Sequence, residues 1–419
     1  MLLPLLLILL ASLAAAVVGY GADPRLGRFI GGVEAIAMIR QYQWLLIALT
    51  LLPAVGLVAL IAAGKRRAWW LIGLAPVLVL FVHRFVASPT SNLRVLDHPQ
   101  WLEASRAHLA DDDWVVGVTF ARKHYALAFA DLAVAPVVVH SDFDQRMVVL
   151  WSAYANRALA LQARPSLKAR DLSIVSMPAN ALLVYNSRRG EFISGINGLT
   201  LRGQAASGLG QSLETWKTTW RHWRTAHPQT LVMAACPDRI ASMAAPLEMR
   251  YPLPAKAGAG ASRRVALIAS TQPIAVAADA IASGPLNLSA GPSSVLLLRD
   301  SSTRRLWAFA RMLGEDQPAQ FALNTDSRLK GTYVDSVSKS GWAMELSGGT
   351  VSLRAVDGPA ARSRLKLTQV PVDADLPWGV VKMWYPSTVL VTQPATAPVI
   401  ESDTPRPRPT SRPARRPRR

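Results

Sequence analysis

The densest group of potential metal ligands in the sequence is His140-Ser141-Asp142-Phe143-Asp144, which places one imidazole and two carboxylates within five residues. Nitrogen and oxygen ligands at this spacing can converge on a metal ion in a loop. The same composition is also typical of a turn at the end of a strand, because Ser and Asp side chains bond to nearby backbone. We favour the turn, with His140, Asp142 and Asp144 as weak metal-ligand candidates.

A group of aromatic residues lies near the middle of the chain. Trp216, Trp220 and Trp223 are spaced at i, i+4 and i+7, and His227 follows them. This spacing predicts one face of a helix over residues 212–227. We interpret the indoles as core packing, with a ligand or partner surface as the alternative.

Other catalytic arrangements are missing from the sequence. There is no Gly-x-Ser-x-Gly nucleophile motif, and Ser207-Gly208-Leu209-Gly210 lacks most residues of a phosphate-binding loop. The one cysteine, Cys236, follows an apolar run and has no base nearby in the sequence. A single thiol forms neither an intrachain disulfide nor a metal cluster. We therefore predict no cofactor, no metal and no catalysis.

The elements that must position these residues are mostly short strands. After residue 88, short apolar runs with many β-branched residues alternate with turns rich in Gly, Pro, Ser and Asn. The main runs are Trp114–Phe120, Val137–His140, Met147–Trp151, Leu182–Tyr185, Val265–Ala269, Val295–Leu298 and Val389–Thr392. This pattern predicts a β-rich domain with minor helix.

The β-rich part contains an internal similarity at a spacing of about 150–160 residues. Val115–Pro136 and Val265–Pro285 each contain an apolar strand, a turn and an Ala-rich run that ends before a proline. Near the end of each unit, a Trp lies seven residues before a His-Pro or Tyr-Pro pair. We predict two degenerate repeats, at residues 89–236 and 237–395.

The beginning of the chain has a different composition. Apolar residues make up 51% of the whole sequence, and their excess lies before about residue 87. Three apolar runs, at about 2–20, 44–64 and 68–87, approach the ~20 residues that a helix needs to cross a bilayer. We predict a transmembrane region over 1–88. Its first helix is expected to stay uncleaved, with a cleaved signal peptide as the alternative, because no Lys or Arg precedes the long apolar run.

The charges in the short loops predict the orientation. Lys65-Arg66-Arg67 forms a tight basic turn, whereas the basic residues of loop 21–43 are offset by Asp23 and Glu34. Basic turns stay in the cytoplasm. The β-rich domain is therefore expected on the extracytoplasmic side of a bacterial inner (cytoplasmic) membrane, and removal of the first helix would not change this.

The C-terminal tail carries much of the net charge of +19, with seven Arg, five Pro and no acid from Pro405 to Arg419. This composition predicts a disordered segment over 396–419. Its expected partners are anionic lipids or anionic envelope polymers. We expect no nucleic acid, since the tail lacks interleaved aromatic residues for base stacking.

Three segments, Asp111–Val118, Leu183–Gly190 and Thr218–Val232, resemble the bacterial family catalogued as domain of unknown function 3179. The last segment is similar to the family's closing motif Thr-Thr-Trp…Trp-Arg…His-Pro-x-Thr. The resemblance covers Asp111 to Met233 well and extends weakly to Val391.

Two family motifs are replaced in this chain. Where relatives carry Cys-Pro-x-Cys-Gly, this chain has the segment Trp151–Asn156, and the family's Trp-His-Glu corresponds to the region of Ala135-Pro136. If the family holds a metal or redox site there, this chain lacks its ligands. The resemblance therefore implies the family fold without its chemistry.

Together these features predict a membrane-anchored, extracytoplasmic structural or interaction module. Its partners would be the bilayer and other membrane or envelope proteins, and it could be a subunit of a larger membrane complex. The alternative is an enzyme or small-ligand-binding protein that uses a cleft between the two repeats.

Overall fold

The computed structural model describes residues 2–21, 23–25, 32–64, 67–85, 90–237, 239, 242–253, 257–281, 284–300, 303, 305–313, 318–347 and 350–392. The predicted tail and two residues of the basic turn, Lys65 and Arg66, lie outside the described residues. The chain forms two compact units. The first comprises Met1–Ile281, Asp300–Leu306 and Pro371–Gln393, and the second contains Ala282–Arg299 and Trp307–Val370.

The described residues form eight α-helices and several short 3₁₀ turns. The helices are α1 (Leu2–Tyr20), α2 (Gly32–Gln41), α3 (Gln43–Ala62), α4 (Ala75–Phe85), α5 (Phe129–Leu132), α6 (Trp220–Ala226), α7 (Pro359–Arg362) and α8 (Trp378–Trp384). After residue 90 the helices are short and strands predominate, so the prediction of a β-rich fold with minor helix is confirmed at this level.

The strands follow in chain order. The first thirteen are β1 (Val95–Asp97), β2 (Trp101–Glu103), β3 (Trp114–Phe120), β4 (Lys123–Ala128), β5 (Val137–Asp142), β6 (Gln145–Ser152), β7 (Arg157–Ala163), β8 (Leu172–Ser176), β9 (Leu183–Asn186), β10 (Glu191–Ser194), β11 (Leu209–Leu213), β12 (Thr215–Thr219) and β13 (Leu231–Met233). The others are β14 (Arg264–Ile268), β15 (Ile274–Ala277), β16 (Leu286–Ala290), β17 (Ser293–Arg299), β18 (Leu306–Ala310), β19 (Phe321–Leu323), β20 (Tyr333–Asp335), β21 (Gly341–Ser347), β22 (Thr350–Asp357), β23 (Lys366–Leu367), β24 (Gln369–Val370), β25 (Val372–Pro377) and β26 (Val389–Val391).

Two N-terminal helices, α1 and α3, are long and apolar enough to cross a membrane, and α1 also has the position of a signal sequence. The third predicted span is divided: residues Ala68–Leu74 form a 3₁₀ helix that leads into α4. Helix α1 packs against α4 through small residues, with Ala11 and Ala15 buried beside Val77 and Leu80. Small side chains allow this close approach of the two backbones.

Helix α2 packs against the β-rich part of the first unit. Its residues Val33, Ile36 and Ala37 are buried in one cluster with Leu183 of β9 and Phe192 of β10. Met38, on the same helix, is 58% exposed. The loop between α1 and α3 is therefore fixed to the β-rich domain by an amphipathic helix.

The first unit contains three sheets built from β1–β13. Their strand orders are β1-β5-β6-β7-β11, β10-β9-β8 and β12-β3-β4-β13-β2. Strands β5, β6 and β7 are nearly continuous apolar runs because both of their faces are buried, one in each of two core clusters. Trp151 on β6 is fully buried in the first of these clusters, against the ring of Phe129.

A fourth sheet of the first unit, β25-β14-β15-β26, has the same pairing as β12-β3-β4-β13. In each sheet the two central strands, β3 and β4 or β14 and β15, are antiparallel to each other. The strand that precedes the helix, β12 or β25, pairs antiparallel with β3 or β14. The last strand, β13 or β26, pairs parallel with β4 or β15. Helix α6 follows β12 as α8 follows β25.

The second unit has two sheets, β16-β17-β18-β24 and β19-β20-β21-β22-β23, around a core that includes Trp342. Asp335 is fully buried at the end of β20. Its carboxylate accepts hydrogen bonds from the backbone N–H groups of Val337, Ser338 and Ser340 and from the indole Nε1 of Trp342 at 2.8 Å. This carboxylate organises the turn between β20 and β21.

The helix predicted over residues 212–227 is wrong in its first half. Residues Leu209–Leu213 and Thr215–Thr219 are strands, and the helix begins only at Trp220. Trp216 lies opposite Gly117 of β3 in an antiparallel pair. The helical spacing of the three Trp residues is therefore shared between a strand and a short helix.

Candidate functional site

The predicted aromatic group is buried. Trp216 on β12 and Trp220 and Trp223 on α6 are each less than 10% exposed. The Trp223 ring lies over Gly117, so closely that a Cβ added to Gly117 would come within 2.1 Å of the ring. The indole Nε1 of Trp223 donates to Thr230 Oγ1 at 2.8 Å. Core packing accounts for these contacts, and a ligand or partner surface on these residues stays a prediction.

His227 stacks on a second histidine, His124, with ring centroids 4.0 Å apart. Burial, which is the largest cause, and the neighbouring His124 and Arg305 together lower the pKa of His227 to about 4. The Arg305 guanidinium lies 4.3 Å from the Trp216 ring centre and pairs with Glu214. His227 is therefore neutral at pH 7. Its ring contacts those of His124 and Trp223, and the Arg305 cation lies beyond them on Trp216.

His140 lies in a chain of hydrogen bonds at the edge of the first core. Trp101 Nε1 donates to His140 Nδ1 at 3.1 Å, and His140 Nε2 lies 3.4 Å from the Tyr125 hydroxyl. Since an indole N–H can only donate, the proton of neutral His140 is on Nε2. Burial lowers the pKa of His140, which favours this neutral form. Both ring nitrogens are thus engaged by the protein.

Asp142 continues this chain of hydrogen bonds, and Asp144 does not. The Tyr125 hydroxyl donates to Asp142 Oδ2 at 3.3 Å, and Lys123 Nζ lies 2.9 Å from the same carboxylate. Asp144 is exposed in the hairpin turn between β5 and β6, next to Phe143, which has a φ of 52°. Among the described residues, no group of three or more His, Cys, Asp or Glu side chains could hold a metal ion.

A buried charge cluster lies where β7 and β12 meet β25. Asp373 Oδ1 lies 2.8 Å from Lys217 Nζ, and Asp373 Oδ2 lies 2.6 Å from Arg157 Nη1. All three side chains are less than 10% exposed. Lys217 also donates to the backbone oxygens of Asn156 and, at 2.7 Å, Ala374. Burial lowers the pKa of Lys217, and Asp373 opposes that effect.

The segment Trp151–Asn156 adjoins this charge cluster. Ser152 Oγ accepts from the Leu182 N–H at 3.0 Å and donates to the Gly195 carbonyl at 3.3 Å. Asn156 adopts a left-handed conformation with a φ of 49°, and its Nδ2 donates to Asp375 Oδ2 at 2.9 Å. These polar side chains connect neighbouring segments of the fold.

An open cavity of about 340 Å³, here called the arginine cavity, lies at the other end of β7. The turn after β7 contributes Arg164, Ser166 and Leu167, the turn between β9 and β10 contributes Asn186, Arg188 and Arg189, and residues 205–209 form the third side. The three arginines are exposed, whereas Asn186 and Leu167 are buried. The cavity therefore has a cationic rim and a largely uncharged floor.

Sequence reasoning missed the arginine cavity and the charge cluster. The cavity is lined by residues from two segments that the sequence analysis treats separately. One is Asn186–Gly190, and the other is Ser207-Gly208-Leu209-Gly210, which lacks most residues of a phosphate-binding loop. The available signal was the pair Arg188-Arg189 in a tight turn. The charge cluster gave no such signal, because Arg157 and Asp373 are 216 positions apart.

The family described as protein of unknown function, DUF3179, has a model that matches residues 95–388. The chain belongs to this family. The match includes the charge cluster, the arginine cavity and the His140 hydrogen-bond chain, so all three lie within the DUF3179 part of the chain. It also extends across the second proposed repeat, well beyond Met233, where the sequence resemblance became weak. No curated protein and no solved structure matches the chain.

Proposed function

We propose that this chain is a membrane-anchored, extracytoplasmic structural or interaction module of the bacterial inner membrane, without catalysis of its own. The apolar outer surface of the N-terminal helices carries the proposal. All but five of the exposed large apolar side chains among the described residues lie before residue 83. Leu9 of α1 and Leu52 of α3, for example, are 64% and 68% exposed. So much exposed apolar surface needs a lipid or protein environment.

The docking of α2 supports the proposed orientation. This helix connects α1 to α3 and is buried against β9 and β10, so the α1–α3 loop lies beside the β-rich domain. The 3₁₀ helix Ala68–Leu74 and α4 together extend about 30 Å, because a 3₁₀ helix rises more per residue than an α-helix. Three crossings would then place the start of α1 and the basic turn, of which Arg67 is described, on the opposite, cytoplasmic side.

The proposed duplication has support from the strand order. The sheets β12-β3-β4-β13 and β25-β14-β15-β26 have corresponding strand orders and strand directions. In each, a short helix, α6 or α8, precedes the last strand in the chain. We infer that they are the corresponding halves of two degenerate repeats. A duplicated β domain on a membrane anchor offers a large surface for other membrane or envelope proteins, and the Arg/Pro tail would add attraction to anionic lipids or polymers.

The polar groups with catalytic potential are already bonded within the fold. Both oxygens of Asp373 are paired with cations, and both nitrogens of His140 have partners. A catalytic base needs a free position facing a substrate. These contacts favour a structural role over catalysis at these two places.

Membrane fractionation and purification test the proposal. Anchoring predicts that the full chain stays in the membrane pellet after alkaline carbonate and is released only by detergent. An interaction role predicts that a distinct protein stays with the chain in constant ratio through purification in mild detergent. Release by carbonate contradicts the anchor, and a monomer without companions contradicts the interaction role.

A further inference from the structure

We propose that the arginine cavity binds a small molecule that carries a phosphate or carboxylate group. The first reason is uncompensated positive charge. Among the described residues, no carboxylate forms an ion pair with Arg164, Arg188 or Arg189. Guanidinium groups match the oxygens of carboxylates and phosphates with paired N–H donors.

The carboxylate nearest to this rim in sequence is occupied by other donors. Glu191 Oε1 accepts from the Ser207 hydroxyl at 2.6 Å, and Glu191 Oε2 accepts from the Ser207 N–H at 2.9 Å. Both oxygens are thus used to hold residues 205–209 against the start of β10. This arrangement leaves the side chains of Arg164 and Arg189, and the N–H groups of Arg188 other than the one bonded to Ser166, available to an incoming anion.

The walls of the cavity are fixed by hydrogen bonds to backbone carbonyl groups. The Arg164 N–H donates to the Gly208 carbonyl at 2.8 Å, and Arg188 Nη1 donates to the Ser166 carbonyl at 3.1 Å. Arg146, below the turn, donates to the carbonyls of Pro165, at 2.9 Å, and of Leu167. A site whose walls are already ordered loses less conformational entropy when it binds a ligand.

The size of the cavity restricts the ligand class. About 340 Å³ is at the lower end of the roughly 300–1,000 Å³ of small-molecule sites. A phosphorylated polyol or a small hydroxy acid fits this volume. The same chemistry occurs in the polar headgroup of an anionic glycerolipid, and α2 docks on the same two strands, β9 and β10, that carry the Arg188-Arg189 turn.

Calorimetric titration of the full chain in neutral detergent tests the proposal, with glycerol 3-phosphate and glycerol as probes. We expect binding of glycerol 3-phosphate and none of glycerol. The double variant Arg188→Gln, Arg189→Gln should weaken binding by about tenfold or more, because charge-assisted hydrogen bonds are lost. The matched control, Arg170→Gln, Arg202→Gln, removes two exposed arginines outside the cavity and should leave affinity unchanged.

Nanodiscs with and without phosphatidylglycerol form the lipid arm. If only the anionic lipid raises the melting temperature, and only with Arg188 and Arg189 present, the ligand is a headgroup.

Binding of neither soluble probe together with no effect of phosphatidylglycerol, or equal binding by the cavity variant and its control, would overturn the proposal. The measurement is made in detergent and does not depend on membrane orientation or on a protein partner. Its failure is therefore distinguishable from failure of the proposed interaction role.

Discussion

The carboxylate of Asp373 lies 2.8 Å from Lys217 Nζ at a position where both side chains are more than nine-tenths buried. Because Arg157 holds the second carboxylate oxygen, one anion compensates two cations. The cluster joins residues from three strands that are widely separated in sequence, β7, β12 and β25. Substitutions in this cluster therefore test how much the contact of β25 with β7 and β12 contributes to stability.

Removal of the anion should cost much more than removal of one cation. Asp373→Asn removes the carboxylate that both buried cations contact, leaves only the half-exposed Asp375 as a nearby anion, and should destabilise the protein by about 3–5 kcal/mol. Lys217→Met leaves the Arg157–Asp373 pair intact and should cost about 1–2 kcal/mol, from two carbonyls that lose a donor. Urea unfolding of the detergent-solubilised chain measures both variants.

Asp111 provides the matched control for this prediction. It also pairs with two arginines, Arg221 and Arg224, but its side chain is 43% exposed. Asp111→Asn should change the free energy of unfolding by less than about 1 kcal/mol. Equal effects of Asp111→Asn and Asp373→Asn would show that burial of the cluster is not what makes it important.

Acidification should destabilise the His227 stack. The pKa of His227 is lowered to about 4, against 6.5 for the free side chain, so the unfolded chain binds the proton more tightly. Stability is then fully present above pH 6.5 and falls as the pH decreases toward 4, by at most about 1.4 kcal/mol per pH unit for one proton.

The His227→Gln variant should flatten this pH dependence relative to the parent chain. His222, exposed on the same helix, serves as control, and His222→Gln should retain the parental slope. Unfolding free energies at pH 4.5, 5.5 and 6.5 are the measurement. An unchanged slope in His227→Gln would show that this histidine is not the group that titrates.

The docking of α2 should depend on one apolar side chain. Ile36 is fully buried against the β8–β10 sheet, whereas Met38 on the same helix is 58% exposed. Ile36→Ala should destabilise the protein by about 2–4 kcal/mol and speed amide exchange in α2. Met38→Ala should cost less than about 0.5 kcal/mol. Similar exchange in both variants would contradict the docked position of α2.

Local sequence patterns predict many of the strands. They fail where the secondary structure of a residue depends on pairing with a strand that is distant in the sequence. The β-branched runs identified β5 and β6 because their composition alone favours strands. The spacing of Trp216, Trp220 and Trp223 indicated a helix, but Trp216 belongs to a strand because it pairs with Gly117, about one hundred residues earlier. Such pairing overrides local spacing.

The candidate sites were less predictable than the strands. Arg164, Arg188 and residues 205–209 carry no shared spacing, and only the fold brings them around one cavity. Asp142, in contrast, is the last residue of β5, where it meets Tyr125 and Lys123, and a Ser-Asp turn of this kind has a local signal in the sequence. A turn motif is local, whereas a binding cavity is assembled from several loops.

The most direct test of the membrane-anchored, extracytoplasmic account is cysteine labelling in spheroplasts. In a Cys236→Ala background, Met38→Cys, Ala63→Cys and Asp144→Cys each place one thiol at an exposed position. With a membrane-impermeant maleimide, the account predicts labelling at positions 38 and 144 in intact spheroplasts and at position 63 only after lysis. Labelling at position 63 in intact spheroplasts, with positions 38 and 144 protected, would contradict it.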